Sequence, residues 1–98
     1  MDQKYNGWTN FETWKVNLEF FDGLSIRDLF DGHSILDLGE DKDERIYNLS
    51  QSLKNLIEEH IEEESSQNFT QSLALAFIQN VNFREIASHM IEEEMEEA

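Results

Sequence analysis

Apolar residues recur at three- and four-residue intervals through most of the chain, and that spacing predicts helices. The first stripe runs through Phe11, Trp14, Leu18 and Phe21, widened by Val16 and Phe20. Thr9-Asn10-Phe11-Glu12 reads as its capping box, with Thr9 as N-cap and Glu12 at the third helical position. Gly23 supplies a left-handed stop. A short second helix is expected from Ser25 to Phe30, capped by Ser25 and ended by Gly32, with Leu24, Ile26, Leu29 and Phe30 making its contacts. The segment from His33 to Gly39 reads two ways, as a short helix or as an extended tether.

The longest periodic run spans Asp41 to Glu64, with Ile46, Leu49, Leu53, Leu56, Ile57 and Ile61 on one side and carboxylates crowding the first turns. Ser65-Ser66-Gln67-Asn68 reads as a loop. A fourth helix follows from Phe69 to Val81, with Phe69, Leu73, Ala76, Phe77 and Ile78 expected inward. Asn82-Phe83-Arg84-Glu85 resembles a second capping box and opens a last helix with Ile86, Ala87, Met90 and Ile91 as its stripe. With an irregular lead-in from Met1 to Gly7 and no internal repeat or linker, the expected fold is all-α. It is a single domain over residues 1–98, a compact bundle of four to five helices.

Composition adds a core and a charge to this picture. At 39% hydrophobic and 11% aromatic, the chain is too apolar for a disordered acidic tail. Twenty-two carboxylates against seven Lys and Arg give a net charge of −15. Such a surface repels nucleic acid and anionic membrane and speeds encounter with basic partners, so no direct nucleic-acid binding and no membrane partner are expected. The absence of cysteine excludes disulfides, thiolate zinc sites and thiol catalysis, and the absence of proline suits helices. No apolar run approaches the ~18 residues of a membrane span, and Met1-Asp2-Gln3-Lys4 opens no signal-peptide core, so a cytoplasmic protein is expected.

Candidate chemistry is sparse. His60 lies beside Glu63 and Glu64, and Glu85 and His89 stand four residues apart, but no Glu-x-x-His or His-Glu-x-x-His spacing occurs. Asp41-Lys42-Asp43 forms no calcium loop, and no nucleophile motif surrounds any Ser, Thr or His. The expectation is a protein without cofactor or metal that is not an enzyme.

Two acidic runs stand out instead. Glu58, Glu59, Glu62, Glu63 and Glu64 put five carboxylates on seven residues, and Glu92, Glu93, Glu94, Glu96 and Glu97 repeat the density. On a helix rising 1.5 Å per residue this is about one charge per 2 Å, against about one per 1.7 Å of duplex DNA. One reading is a solvated face. The other is a partner-binding surface that imitates a phosphate backbone. Both runs fall at predicted helix C-termini, where each carboxylate costs about 0.3–1 kcal/mol against the dipole, so stability alone gives little reason for them. Asp41, Asp43 and Glu44, with Asp37 and Glu40, form a third group diluted by Lys42 and Arg45. Trp8 and Trp14 read either as a binding hot spot or as a structural cap on the core, with Thr9, Glu12 and Phe83 in the same structural role.

The stretch Tyr5-Asn6-Gly7-Trp8-Thr9-Asn10-Phe11-Glu12-Thr13-Trp14 resembles the NGWxN[YF]ETW opening of a family of small proteins of phages, plasmids and bacterial genomes. Val81 to Ile91 resembles that family's second stretch, VNWxEIAxHL, with Phe83 in place of the usual Trp. Together they cover about a quarter of the chain. The resemblance implies a fold and a mobile-element setting, with no reaction attached. By analogy, that setting implies an inhibitor of CRISPR or restriction in the bacterial host cell, binding a basic nucleic-acid-binding effector. Two other readings stay open: a helical adaptor or assembly module working through an apolar patch, and a regulator that sequesters a basic DNA-binding protein.

Overall fold

Helices account for every element of a computed structural model that describes residues 7–30, 35–64 and 69–97. They are α1 (Phe11–Val16), continued by a π-helical turn (Asn17–Phe21), then α2 (Ile26–Leu29), a 3₁₀ turn (Ile35–Leu38), α3 (Lys42–Glu64), α4 (Phe69–Ile78) and α5 (Phe83–Glu97). The all-α bundle read from periodicity is the observed fold. The lead-in before Gly7, Gly32 as terminator, the loop 65–68 and the side chains of Glu96 and Glu97 lie outside the described residues.

The long helices form as their stripes dictate. Ile46, Leu49, Leu53 and Ile57 of α3 are buried against Ile86, Ala87, Met90 and Ile91 of α5, and this pair is the main packing of the molecule. Leu56 and Ile61 are half-buried at its margin. The two helices run antiparallel: Lys42 at the start of α3 reaches Glu92 late in α5, while Ser50 and Lys54 share a surface with Phe83 and Arg84. Phe83 itself is buried.

At α1 the inward face differs from the expected one. Thr13, Val16 and Phe21 are buried, whereas Phe11, Leu18 and Phe20 are exposed and Trp14 is half-buried. The π turn explains part of this, since the Asp22 N–H donates to the Asn17 carbonyl at 2.7 Å. That widened turn lets Val16 and Phe21, five residues apart, both point to the core. Gly23 at φ 80° ends the segment as its lack of a Cβ permits.

The N-cap of α1 is Asn10, not Thr9: Asn10 Oδ1 accepts the Thr13 N–H at 2.9 Å, and the Glu12 carboxylate closes no box. Ser25 caps α2 as expected, in a full capping box with Asp28. Of the segment from His33 to Gly39, His33 and Ser34 lie outside the described residues, and Ile35–Leu38 form a 3₁₀ turn, tied to α3 by Asn48 Nδ2 donating to the Leu38 carbonyl at 2.6 Å.

Helix α4 departs furthest from expectation. Ile78 is buried and Phe77 half-buried, but Phe69, Leu73 and Ala76 face outward. The helix is apolar on every side, so periodicity did not specify which side would meet α3.

Candidate functional site

The two motif stretches meet where α1 and α5 begin. Each helix start has a backbone donor without an intrahelical partner. Here each is satisfied by a side chain of the other helix. The Thr9 N–H donates to Glu85 Oε1 at 2.9 Å, and the Asn82 N–H donates to Thr13 Oγ1 at 2.8 Å. The Thr13 hydroxyl in turn donates to Asn10 Oδ1 at 2.7 Å, and Asn10 Nδ2 donates to the Asn80 carbonyl at 2.8 Å. Asn82 Oδ1 caps α5 by accepting the Glu85 N–H at 3.0 Å.

The second capping box is therefore half formed within α5, and its Glu85 carboxylate is spent on the opposite helix. Trp8 packs against His89 of α5 with ring centroids 4.4 Å apart. Phe11 meets Phe77 edge-on at 6.3 Å, joining α1 to α4. These residues make a polar and aromatic junction that fixes two helix origins together. Sequence spacing offered no signal for it, because the hydrogen-bonded partners across it are 69 to 76 residues apart.

The acidic groups are arranged in two poles. Late α5 lies beside the start of α3, so Glu92 joins Asp41, Asp43 and Glu44 at one end, while Glu93 borders Trp8, Asn17 and Asp22 on the α1 side. Glu58 to Glu64 occupy the other end of α3. From Lys42 to Glu59 is about 25 Å along the axis at 1.5 Å per residue. That exceeds twice the ~8–10 Å screening length at physiological salt, so the poles act as separate patches rather than one ladder.

Within the first pole, several carboxylates have internal partners. Lys42 Nζ bridges Glu92 Oε1 at 3.2 Å, and this hydrogen bond and charge hold the Glu92 carboxyl below the usual glutamate range. The Glu94 carboxylate accepts the Ile26 N–H at 2.7 Å and so helps cap α2. Asp41 Oδ1 accepts the Glu44 N–H at 2.8 Å, and the Glu44 carboxylate accepts the Glu40 N–H at 2.7 Å. Of the predicted contact residues on these two elements, Asp43 and Glu93 are exposed.

The α3 pole is different. Glu59, Glu62, Glu63 and Glu64 are exposed and Glu58 is half-buried, on a helix whose other side is locked by Leu53 and Ile57. Glu58 with Glu62, and Glu59 with Glu63, are four residues apart and so stand about 5–6 Å from each other. Lys54 stands four residues before Glu58, at the start of the run, and no Lys or Arg occurs in the sequence from there to Arg84. His60 turns aside to meet the Phe20 ring edge-on at 5.3 Å.

Among the described residues, no three His, Asp or Glu side chains are grouped to hold a metal ion, and no helix is long and apolar enough to cross a membrane. No curated protein and no solved structure matches the chain. A family model does match, along residues 1–98, and the chain therefore belongs to the family of unknown function DUF7249.

Proposed function

We propose that this protein is a non-catalytic inhibitor that occupies a basic nucleic-acid-binding surface of a bacterial defence effector, of the CRISPR or restriction kind. Its main contact is the glutamate run at the end of α3. The observation that carries the reading is that run itself: five carboxylates, Glu58 to Glu64, held on a helix with a buried opposite face, with Lys54 one turn before Glu58 and no Lys or Arg within the run. The charge spacing, about one per 2 Å, approaches that of a duplex, so Lys and Arg placed to meet phosphates meet carboxylates instead. The genomic setting implied by the motif resemblance supports a defence system as the target.

The second pole plays a lesser part, because Glu92 and Glu94 already hold internal partners and Asp43 remains as a contact. Association is fast and weakens as salt rises, as expected for attraction between opposite surfaces.

The test is competition with duplex DNA or guide RNA for a purified effector of either class. Changing Glu58, Glu59, Glu62 and Glu63 together to Gln keeps the helix and its size while removing four charges. The variant is expected to compete at least about tenfold less well, since each charge pair at a rim contributes a fraction of a kcal/mol. Undiminished inhibition by the variant sinks the mimicry.

A further inference from the structure

Carboxylates are spread along this chain except in two long stretches. None occurs from Arg45 to Ile57 on α3, and none from Ser65 to Arg84, through α4 to the start of α5. These are the two longest such gaps in a sequence of 98 residues with 22 carboxylates. The fold brings them together. Gln79, Asn82 and Arg84 from the second gap and Tyr47, Gln51 and Lys54 from the first border a concavity of about 320 Å³. Among the described residues, no Asp or Glu lines it.

Lys54 and Arg84 are the cations of this concavity, and among the described residues neither side chain has an ion pair or a hydrogen bond. The other cations with described side chains do have partners. Lys15 bridges Glu19, Lys42 bridges Glu92, and the Arg45 guanidinium donates to the Gly39 carbonyl. Acidic neighbours stand close by without closing a pair. Glu58 follows Lys54 by one turn, and Asp43 lines the adjoining concavity with Arg84. Glu85, next to Arg84 in the chain, gives its carboxylate to the Thr9 N–H instead. On a molecule of net charge −15, two cations without partners in one concavity are the exception.

We infer that this concavity binds a phosphate dianion, free or as the monoester of a small molecule, held between Lys54 and Arg84. Two cations with no carboxylate between them match a group of charge near −2. A guanidinium meets phosphate oxygens in pairs, and an ammonium meets them as a point charge. A lone carboxylate, with a single charge, would satisfy only one of the two. Size agrees as well. The volume is at the lower end of small-molecule sites and exceeds what a bare phosphate needs. Tyr47, 55% exposed, offers a ring at the rim, and the exposed amides of Gln51 and Gln79 offer donors and acceptors. A mononucleotide carries the parts that such a wall would meet.

The field of the whole molecule opposes any anion at long range. At about 0.15 M salt the screening length is ~8 Å, so the distant acidic poles weigh little and the two nearby cations decide. This site is independent of the glutamate run at the end of α3, which serves a basic partner.

The experiment is an NMR titration of the full chain at about 0.15 M salt and about pH 7.5, where a phosphate monoester is mostly a dianion. The probes are inorganic phosphate, AMP and acetate, followed at Arg84 Nε, the Tyr47 ring and the backbone amides. Phosphate and AMP are expected to give saturable shifts at Tyr47, Lys54 and Arg84, with acetate at least about tenfold weaker. AMP binding tighter than phosphate makes a nucleotide the source, and equal affinity makes it the phosphate group alone. Lys54→Gln and Arg84→Gln are each expected to weaken binding at least about tenfold, and Arg84→Lys by less, since it keeps the charge and loses the fork. Neither side chain has a partner to lose, so the variants are expected to keep the wild-type circular dichroism. Lys15→Gln, on another face, leaves binding unchanged. With Glu58, Glu59, Glu62 and Glu63 changed to Gln, phosphate binds at least as tightly as in wild type, so this inference and the proposed inhibition fail separately. The absence of saturable shifts up to about 20 mM phosphate or AMP overturns the inference. So do shifts that survive both Gln substitutions, or acetate binding as tightly as phosphate.

Discussion

Replacing Thr13 separates hydrogen bonding from packing at the junction of the two helix starts. Thr13 is fully buried, and its hydroxyl accepts the Asn82 N–H at 2.8 Å while donating to Asn10 Oδ1 at 2.7 Å. Valine has the same shape and is more hydrophobic, so by burial alone Thr13→Val would be neutral or stabilising. The hydrogen-bond argument says the reverse. Val removes two bonds of about 1 kcal/mol each, and the helix-start N–H of Asn82 loses its acceptor. Asn82 is itself exposed, so water recovers part of the loss, and the net cost is about 2 kcal/mol. Thr13→Ser keeps the hydroxyl and gives up one methyl, worth about 1 kcal/mol. Urea unfolding followed by circular dichroism, with thermal melts beside it, reads the difference. For a domain this size about 2 kcal/mol lowers the melting temperature by ~10 °C. If Thr13→Val proves as stable as wild type, or more stable than Thr13→Ser, the junction is held by packing and the polar account of it is wrong.

Three further outcomes follow from particular side chains. Glu94→Ala removes the carboxylate that accepts the Ile26 N–H and is expected to cost about 1–2 kcal/mol, whereas Glu93→Ala, an exposed neighbour, changes stability by less than about 0.5 kcal/mol in the same urea assay. Changing Glu58, Glu59, Glu62 and Glu63 to Gln relieves two like-charge pairs and the unfavourable dipole at the end of α3 and gives up the single favourable spacing of Lys54 with Glu58, so the variant should be more stable than wild type by on the order of 1 kcal/mol at low salt; equal or lower stability counts against net repulsion there. For Glu92, Lys42 lowers the folded-state pKa, so the contribution is present at neutral pH, above the unfolded value, and is lost as pH falls through the lowered folded value. An NMR titration should find Glu92 below the usual glutamate range in wild type and returned to it in Lys42→Met; no difference between the two removes the ion pair.

The sequence alone determined the helices of the core. In α3 and α5 the periodic stripes named the buried residues, Ile46, Leu49, Leu53, Ile57, Ile86, Ala87, Met90 and Ile91, because long amphipathic helices leave one side apolar enough to bury. Charge density along each glutamate run was equally legible, being a property of neighbours on one helix. Only the tertiary structure decided which groups meet across the chain. Asn10, not Thr9, caps α1, and the Thr9 N–H goes to Glu85 across the chain rather than to Glu12 beside it. The glutamate runs parted because α5 lies antiparallel to α3, carrying its last turns to the far end. And α4 turned Phe69 and Leu73 outward because a helix apolar on all sides offers no local preference for the side that packs.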